Sequence, residues 1–188
     1  MAEQVLRGGL KHRWGQPHEG SNPSPGTTPT LDRVDGPSLQ ERFAPDGTCF
    51  GCGPRNAKGL RIRSFDAGDG TVVAEWQPLP EHEAFEGYVN GGILGTLIDC
   101  HSNWTAIAAL QHAGWASEAP STVTSEMSVR YRRPTPSGEP LRLVGRAVEV
   151  APDRVTVETS VEAGGEVTAR GRATFVPVGP GHPAYGRW

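Results

Sequence analysis

The stretch NGGILGTLIDCHSNWTAIAAL, Asn90 to Leu110, decides how the rest of the chain is read. Ile93, Leu97, Cys100, Trp104 and Ile107 recur at helical spacing and form one apolar stripe, which predicts a single long helix packed against a flat apolar surface. Asp99 lies off that stripe. At about 100° per residue it sits roughly 120° away, on a face shared with Gly95, Thr96, Ser102, Asn103 and Ala106. A face of small and polar residues lets another backbone or a ligand come close. His101 is about 200° around the helix from Asp99, so the two cannot form a dyad within one chain, and His101 reads as a core or interface histidine.

The helix start carries the second half of the argument. Gly91 and Gly92 open it with backbone N–H groups that no side chain covers. At a helix N-terminus the first donors lack intrahelical partners and the dipole favours negative charge, so such donors can polarise a carbonyl. Asp99 follows Gly91 by eight residues, which is about 12 Å along a helix axis. One copy of the helix can hardly bring both groups to one carbonyl, whereas two antiparallel helices from two subunits can. The spacing therefore predicts a dimer.

Length and charge bound the remaining possibilities. The chain has 188 residues, which suits one domain with a full hydrophobic core and a surplus at its start. Its formal charge of −3 argues against a general nucleic-acid binder, because such proteins carry a basic surface that neutralises phosphates. The three cysteines, Cys49, Cys52 and Cys100, are an odd number with no secretory signal ahead of them. A disulfide framework is not expected, and cytoplasm is the default location. No run of about 18 apolar residues occurs, and Asp99, His101 and Asn103 interrupt the longest candidate, so no membrane span is expected.

Residues 1–35 are rich in Gly, Pro, Ser, Thr and charge without helical or strand period, and read as a flexible leader. Residues 36–46 follow as a short helix: Ser38 and Glu41 fit a capping box, and Pro45 stops the helix, which is placed to lie over the domain like a latch. The main domain spans 47–178, and 179–188 is a loop-like tail in which Tyr185 and Trp188 either pack on the body or stay in solvent. Within the domain, Leu60 to Phe65 and Thr71 to Gln77 read as a hairpin around AGDG. After the helix come four extended runs, TVTSEMSVRYRR, LRLVGRAVEVA, DRVTVETSVEA and EVTARGRATFVPV, separated by Pro, Asp and Gly turn signals. They are expected to connect as neighbours, with apolar faces such as Val144, Ala147 and Val150 or Val155, Val157 and Val161.

The CxxC pair Cys49 and Cys52 looks like half of a zinc site. A closed tetrahedral site needs four ligands, and no second CxxC or H-x₃₋₅-H completes it. Cys100 and His101 are available only if the fold recruits them. The favoured reading is a tight glycine-rich turn with small buried thiols and no metal.

The segments CFGCGPRNAKGLRI, EGYVNGGILGTLID, TVTSEMSVRYRRPTPSGEPL and the terminal strand ending ATFVPV, in this order, resemble the PaaI-like acyl-CoA thioesterases of the hotdog-fold superfamily over roughly residues 47–178. The resemblance implies an α+β hotdog fold, a long central helix wrapped by a curved antiparallel sheet of about six strands, with subunits joined edge to edge as a homodimer and often paired again into a tetramer. It implies no cofactor and an acyl-CoA substrate. In similar enzymes the amide of the first glycine of HGG polarises the thioester carbonyl, and a carboxylate from the partner's helix attacks or activates water. Gly91 and Asp99 occupy those positions, with Gly92 beside the first. Thr124 matches a Ser or Thr that helps hold the attacking group, and Asn103 is a candidate for positioning it.

Two positions depart from the pattern. The usual HGG histidine is Asn90, which still hydrogen-bonds near a turn and tolerates unusual backbone angles. Seven residues before the first glycine, where many relatives place Asn or Gln, stands Ala84; His82, Glu83 or Asn103 are the candidate substitutes. Arg130, Arg132 and Arg133 put positive charge at one strand end, suited to coenzyme A phosphates because Arg binds phosphate bidentately. The same charges would also protect a strand edge from aggregation. The leading expectation is therefore acyl-CoA thioester hydrolysis. The alternatives are a non-catalytic acyl-CoA-binding or sensing module and, more weakly, a hydroxyacyl-CoA dehydratase. Tyr88, Trp104 and Trp115 serve equally as an aromatic pocket lining or as core.

Overall fold

The computed structural model describes residues 36–187; the leader and Trp188 lie outside the described residues. The short helix α1 (Leu39–Phe43) begins where the capping box predicts. The Ser38 backbone N–H donates to Glu41 Oε2 at 2.8 Å, and the Glu41 N–H donates to Ser38 Oγ at 3.3 Å. Ala44 and Pro45 end it. Leu39 and Gln40 are buried, so α1 is docked rather than loose.

The expected first arm of the hairpin is mostly not a strand. Only Phe65–Asp66 (β1) pairs with β2 (Thr71–Trp76). Arg61 sits in the left-handed region at φ 50°, which breaks an extended run for a residue with a Cβ. The Leu60 and Ile62 N–H groups donate to Phe50 and Gly51 carbonyls at 2.8 and 3.0 Å, so this segment braces the CxxC turn instead of the sheet. Before the central helix, a 3₁₀ turn (Pro80–His82) leads into a small hairpin, β3 (Glu83–Phe85) and β4 (Tyr88–Val89), which the sequence patterns do not reveal.

The long helix α2 runs from Gly91 to His112. After it come β5 (Thr122–Tyr131), β6 (Leu141–Ala151), β7 (Arg154–Ala163) and β8 (Glu166–Pro177). All pairings are antiparallel, and the six-stranded sheet has the order β1-β2-β6-β7-β8-β5. This is the hotdog fold, with one correction: β6, β7 and β8 are neighbours in sequence and space, but β5 is not beside β6. The PTPSGEP connection carries the chain across the sheet, so β5 pairs with β8 and forms the far edge.

The apolar face of β6 also differs from expectation. Leu141, Leu143 and Gly145 are buried, whereas Val144 is only partly covered and Val150 is exposed, because the strand's inward set lies one residue earlier and a bulge intervenes between Ala147 and Glu149. Val155, Val157 and Val161 are buried as expected. Two sheet glycines let α2 lie close: a Cβ at Gly171 would stand 2.2 Å from Ile98 Cγ2, and one at Gly145 would stand 2.3 Å from Thr105 Oγ1.

From Leu97 to Ala108 every α2 residue except Asp99 is buried, so the helix has no broad polar face. Its polar side chains are answered by protein. His101 is fully buried; its Nε2 donates to the Val72 carbonyl at 3.0 Å, which leaves Nδ1 to accept from Ser64 Oγ at 2.9 Å. Ser64 Oγ in turn accepts from Gln40 Nε2 at 3.1 Å, so one chain of hydrogen bonds ties α1 to α2. Burial pushes the His101 pKa down to about 4.

Between pH 6.5 and about 4 the unfolded chain binds a proton at His101 that the folded chain refuses, so stability rises with pH across that window. Denaturant unfolding should show on the order of 3 kcal/mol lost as pH falls through it. His101→Gln should flatten this dependence; an unchanged slope in that variant would remove His101 as its source.

Candidate active site

Asn90 caps α2: its Oδ1 accepts from the Gly92 N–H at 2.7 Å. This corrects the expectation that both glycine amides are uncovered, since Gly92 is engaged by the cap. The Gly91 N–H has no acceptor among the described residues, so one donor remains at the positive end of the helix. Tyr131, the last residue of β5, donates its hydroxyl to the Gly91 carbonyl at 2.7 Å and lays its ring against the glycine, 3.4 Å from where a Cβ would be. Tyr131 was not anticipated from sequence.

Two turns along the helix, Asp99 is partly buried, and Thr124 Oγ1 donates to its Oδ1 at 2.7 Å. One turn further, Asn103 Oδ1 accepts from Thr122 Oγ1 at 2.6 Å. The two bonds are successive rungs between α2 and β5. Asn103 is buried and committed to Thr122. Burial raises the Asp99 pKa above its ordinary 3.8, the Thr124 hydrogen bond opposes that rise, and the nearby Cys49 adds to it.

Thr124 and Tyr131 are seven residues apart, a spacing that puts side chains on opposite faces of a regular strand. A bulge resolves the conflict. The register to β8 pairs Thr124 with Phe175 and Glu126 with Thr174, leaving Ser125 unpaired. Thr122, Thr124, Met127, Val129 and Tyr131 consequently stand opposite the odd-numbered β8 residues, among them buried Phe175, Ala173 and Ala169, and share the face toward α2.

The remaining candidates fall elsewhere. Arg130 and Arg132 line a cavity of about 620 Å³ together with Arg146, Arg170 and Arg172, and neither Gly91 nor Asp99 borders it. Arg133 is paired with Glu166. Ala84 is exposed in β3. Neither His82 nor Glu83 is free: His82 Nδ1 accepts from the Leu79 N–H at 3.0 Å, and Glu83 accepts from Ser137 Oγ. Tyr88 stacks against Phe85 with ring centroids 5.3 Å apart, Trp104 is core, and Trp115 is half exposed.

A family model described as the thioesterase superfamily matches residues 86–170, which contain α2 and its N-cap. A thioesterase superfamily protein from Shewanella loihica is 36% identical, with a TM-score of 0.54, over 63% of this chain and 91% of that one. The chain belongs to the thioesterase superfamily. Its fold is also that of the PaaI protein of E. coli, at 17% identity and TM-score 0.54 over 65% and 83% of the two chains. A Streptococcus mutans protein solved with acetyl CoA bound shares the fold at 20% identity and TM-score 0.53, over 63% and 89%. No curated protein matches the chain. Among the described residues, no helix is long and apolar enough to cross a membrane.

The local electrostatics make a direct prediction. In a carboxyl-labelled NMR titration Asp99 should deprotonate above the ordinary 3.8, and Thr124→Val should move it higher, because the substitution removes the hydrogen bond that favours the anion. A titration at the ordinary value, or one that Thr124→Val leaves in place, would contradict the stated balance of burial and hydrogen bonding.

Proposed function

We propose that the protein hydrolyses an acyl-CoA thioester at a site shared between two copies of the chain. The observation that carries this reading is the pairing of a desolvated, Thr124-held carboxylate with a helix that opens on the unengaged Gly91 amide. The thioester carbonyl oxygen accepts from the Gly91 N–H, where the helix dipole stabilises the oxyanion. Asp99 takes a proton from water as the water oxygen attacks the carbonyl carbon. The tetrahedral intermediate then expels the coenzyme A sulfur, which receives that proton, leaving a carboxylic acid and the free thiol. Burial strengthens Asp99 as a base, and the Thr124 hydrogen bond fixes its orientation. Acetyl CoA on the S. mutans structure supports the substrate class.

Two features support a second copy. The Gly91–His112 helix is continuous, so its tip and Asp99 are separated by about 12 Å of axis. Among the described residues, strand β5 is a ten-residue unpaired edge carrying Met127 and Tyr131 at 39% and 53% exposure, a surface that a folded protein normally covers. Antiparallel pairing of two β5 edges about a two-fold axis brings the Thr124 end of one to the Tyr131 end of the other, and with them Asp99 of one copy to the Gly91 tip of its partner. Arg130 and Arg132 lie in the separate arginine-rich cavity, and their role in this reading is to hold the coenzyme A phosphates away from the thioester carbon.

Asp99→Asn should lower kcat for acyl-CoA hydrolysis by about 10²–10⁴-fold with the fold intact. Gly91→Pro removes the amide donor at a helix position that accepts proline and should lower kcat by about 10²–10³-fold. Mixing the two variants as heterodimers tests the shared site: one of the two sites then contains both native groups, and activity should return. Full activity of Asp99→Asn across a panel of acyl-CoAs would refute the carboxylate's role. Absence of recovery in verified heterodimers would refute the two-copy construction.

A further inference from the structure

The CxxC turn acquires a third sulfur that sequence spacing does not disclose. The Sγ atoms of Cys49, Cys52 and Cys100 all lie within 4.8 Å of one another, and those of Cys49 and Cys100 are 3.7 Å apart. Zinc–thiolate bonds of about 2.3 Å in a tetrahedral site separate two sulfurs by about 3.8 Å. One edge of the sulfur triangle therefore already matches the edge of such a site, and the others need to contract by about 1 Å at most. His101, the other candidate to be recruited, is turned away to Ser64 and Val72.

The turn is built to hold this arrangement. Gly51 is pressed onto α2 so closely that a Cβ would lie 2.3 Å from Cys100 Sγ and 2.8 Å from Thr96 Cγ2. The Gly53 N–H closes the turn on the Cys49 carbonyl at 2.9 Å, and the strut through Leu60 and Ile62 supports it from outside. Trp104 Nε1 donates to Cys52 Sγ at 3.4 Å, the kind of outer partner that orients a metal-ligating side chain. Beside Cys49 and Cys52 a cavity of about 230 Å³ opens, with Arg187 in its wall. Among the described residues no fourth Cys, His, Asp or Glu joins the cluster.

We propose that Cys49, Cys52 and Cys100 bind one thiophilic d¹⁰ cation, tested as Zn²⁺, through three thiolates, with water from the adjoining cavity in the fourth position. Soft thiolate donors select this class of ion over oxygen-seeking cations. On binding, each thiol gives its proton to solvent, three sulfur–metal bonds form, and the three-thiolate zinc centre carries one net negative charge beside Arg187. The metal would fasten the turn to α2 next to Asp99. This inference does not depend on thioester hydrolysis, and its test reads metal uptake instead of turnover.

The test is a Co²⁺ titration of the full chain, kept reduced with a phosphine, followed by Zn²⁺ competition. The expected result is a thiolate-to-Co²⁺ charge-transfer band in the near ultraviolet that saturates at one ion per chain and disappears on adding one equivalent of Zn²⁺. Cys49 is the exposed member of the cluster, so Cys49→Ser is the variant least disturbing to the fold. It should weaken Zn²⁺ binding by more than about 10²-fold, since even outer-shell changes cost 10–100-fold. Cys100→Ser should remove the contribution of the third thiolate, and Zn²⁺ should raise the melting temperature of the parent but not of either variant. If Cys100→Ser fails to fold, the parent's band intensity against two-thiolate and three-thiolate standards decides the ligand count. No band in the reduced, folded parent at excess Co²⁺, a two-thiolate intensity, or an unchanged band in Cys100→Ser would overturn the proposal.

Discussion

A helix that lies inside its own sheet must have nearly every polar side chain answered by the protein, and this constraint shapes the whole molecule. An unpaired buried donor or acceptor costs about 1–3 kcal/mol, a large fraction of a domain's net stability. Along α2 the answers come from different elements: Val72 of β2 and Ser64 before β1 for His101, Thr159 of β7 for Ser102, and Thr122 of β5 for Asn103. Each bond specifies which part of the sheet lies against which turn of the helix. Apolar burial alone would tolerate a slip along the axis; this set of partners does not.

Asp99 stands apart because it lies at the rim of that enclosure. Among the described residues it receives one side-chain hydrogen bond, from Thr124 of the edge strand β5, and it stays partly exposed where His101, Ser102 and Asn103 are buried. A carboxylate with one donor and partial burial is held at a raised pKa, a condition that stability alone would not favour. The bulge at Ser125 has the same logic. It interrupts the β5–β8 ladder, and what the interruption achieves is to aim Thr124 and Tyr131 at the two ends of the same helix segment. Bulges commonly re-aim side chains in this way next to functional sites.

The features legible from sequence were the local ones. The capping box at Ser38 and Glu41, the start of α2 at Asn90, and the position of Asp99 follow from residue type and helical period, which act over a few residues. Thr124 was placed by resemblance, not by physics. What the sequence concealed depends on distant partners. The Cys49–Cys100 contact joins residues 51 apart in the chain, and neither hydropathy nor spacing carries information over that distance. The odd interval between Thr124 and Tyr131 hid their common face until the bulge was seen. LRIRSF alternates well enough to read as a strand, yet its hydrogen bonds go to Phe50 and Gly51, because Arg61 turns the backbone out of the extended region. The polar helix face that the sequence suggests is closed for a related reason: Ser102 and Asn103 look available for a ligand until the strands that bind them are in place.

The proposed chemistry and the proposed metal site meet on one turn of α2, and their proximity follows from helix geometry. Asp99 and Cys100 are adjacent residues whose side chains diverge by about 100°, so the carboxylate reaches β5 while the sulfur faces the CxxC turn. Any rearrangement of the turn would have to pass Gly51, which has no free space against Thr96 and Cys100. A cluster that holds the turn in place therefore also holds the backbone from which Asp99 projects, and it does so from about a quarter-turn around the helix from the strand edge where a second copy would dock.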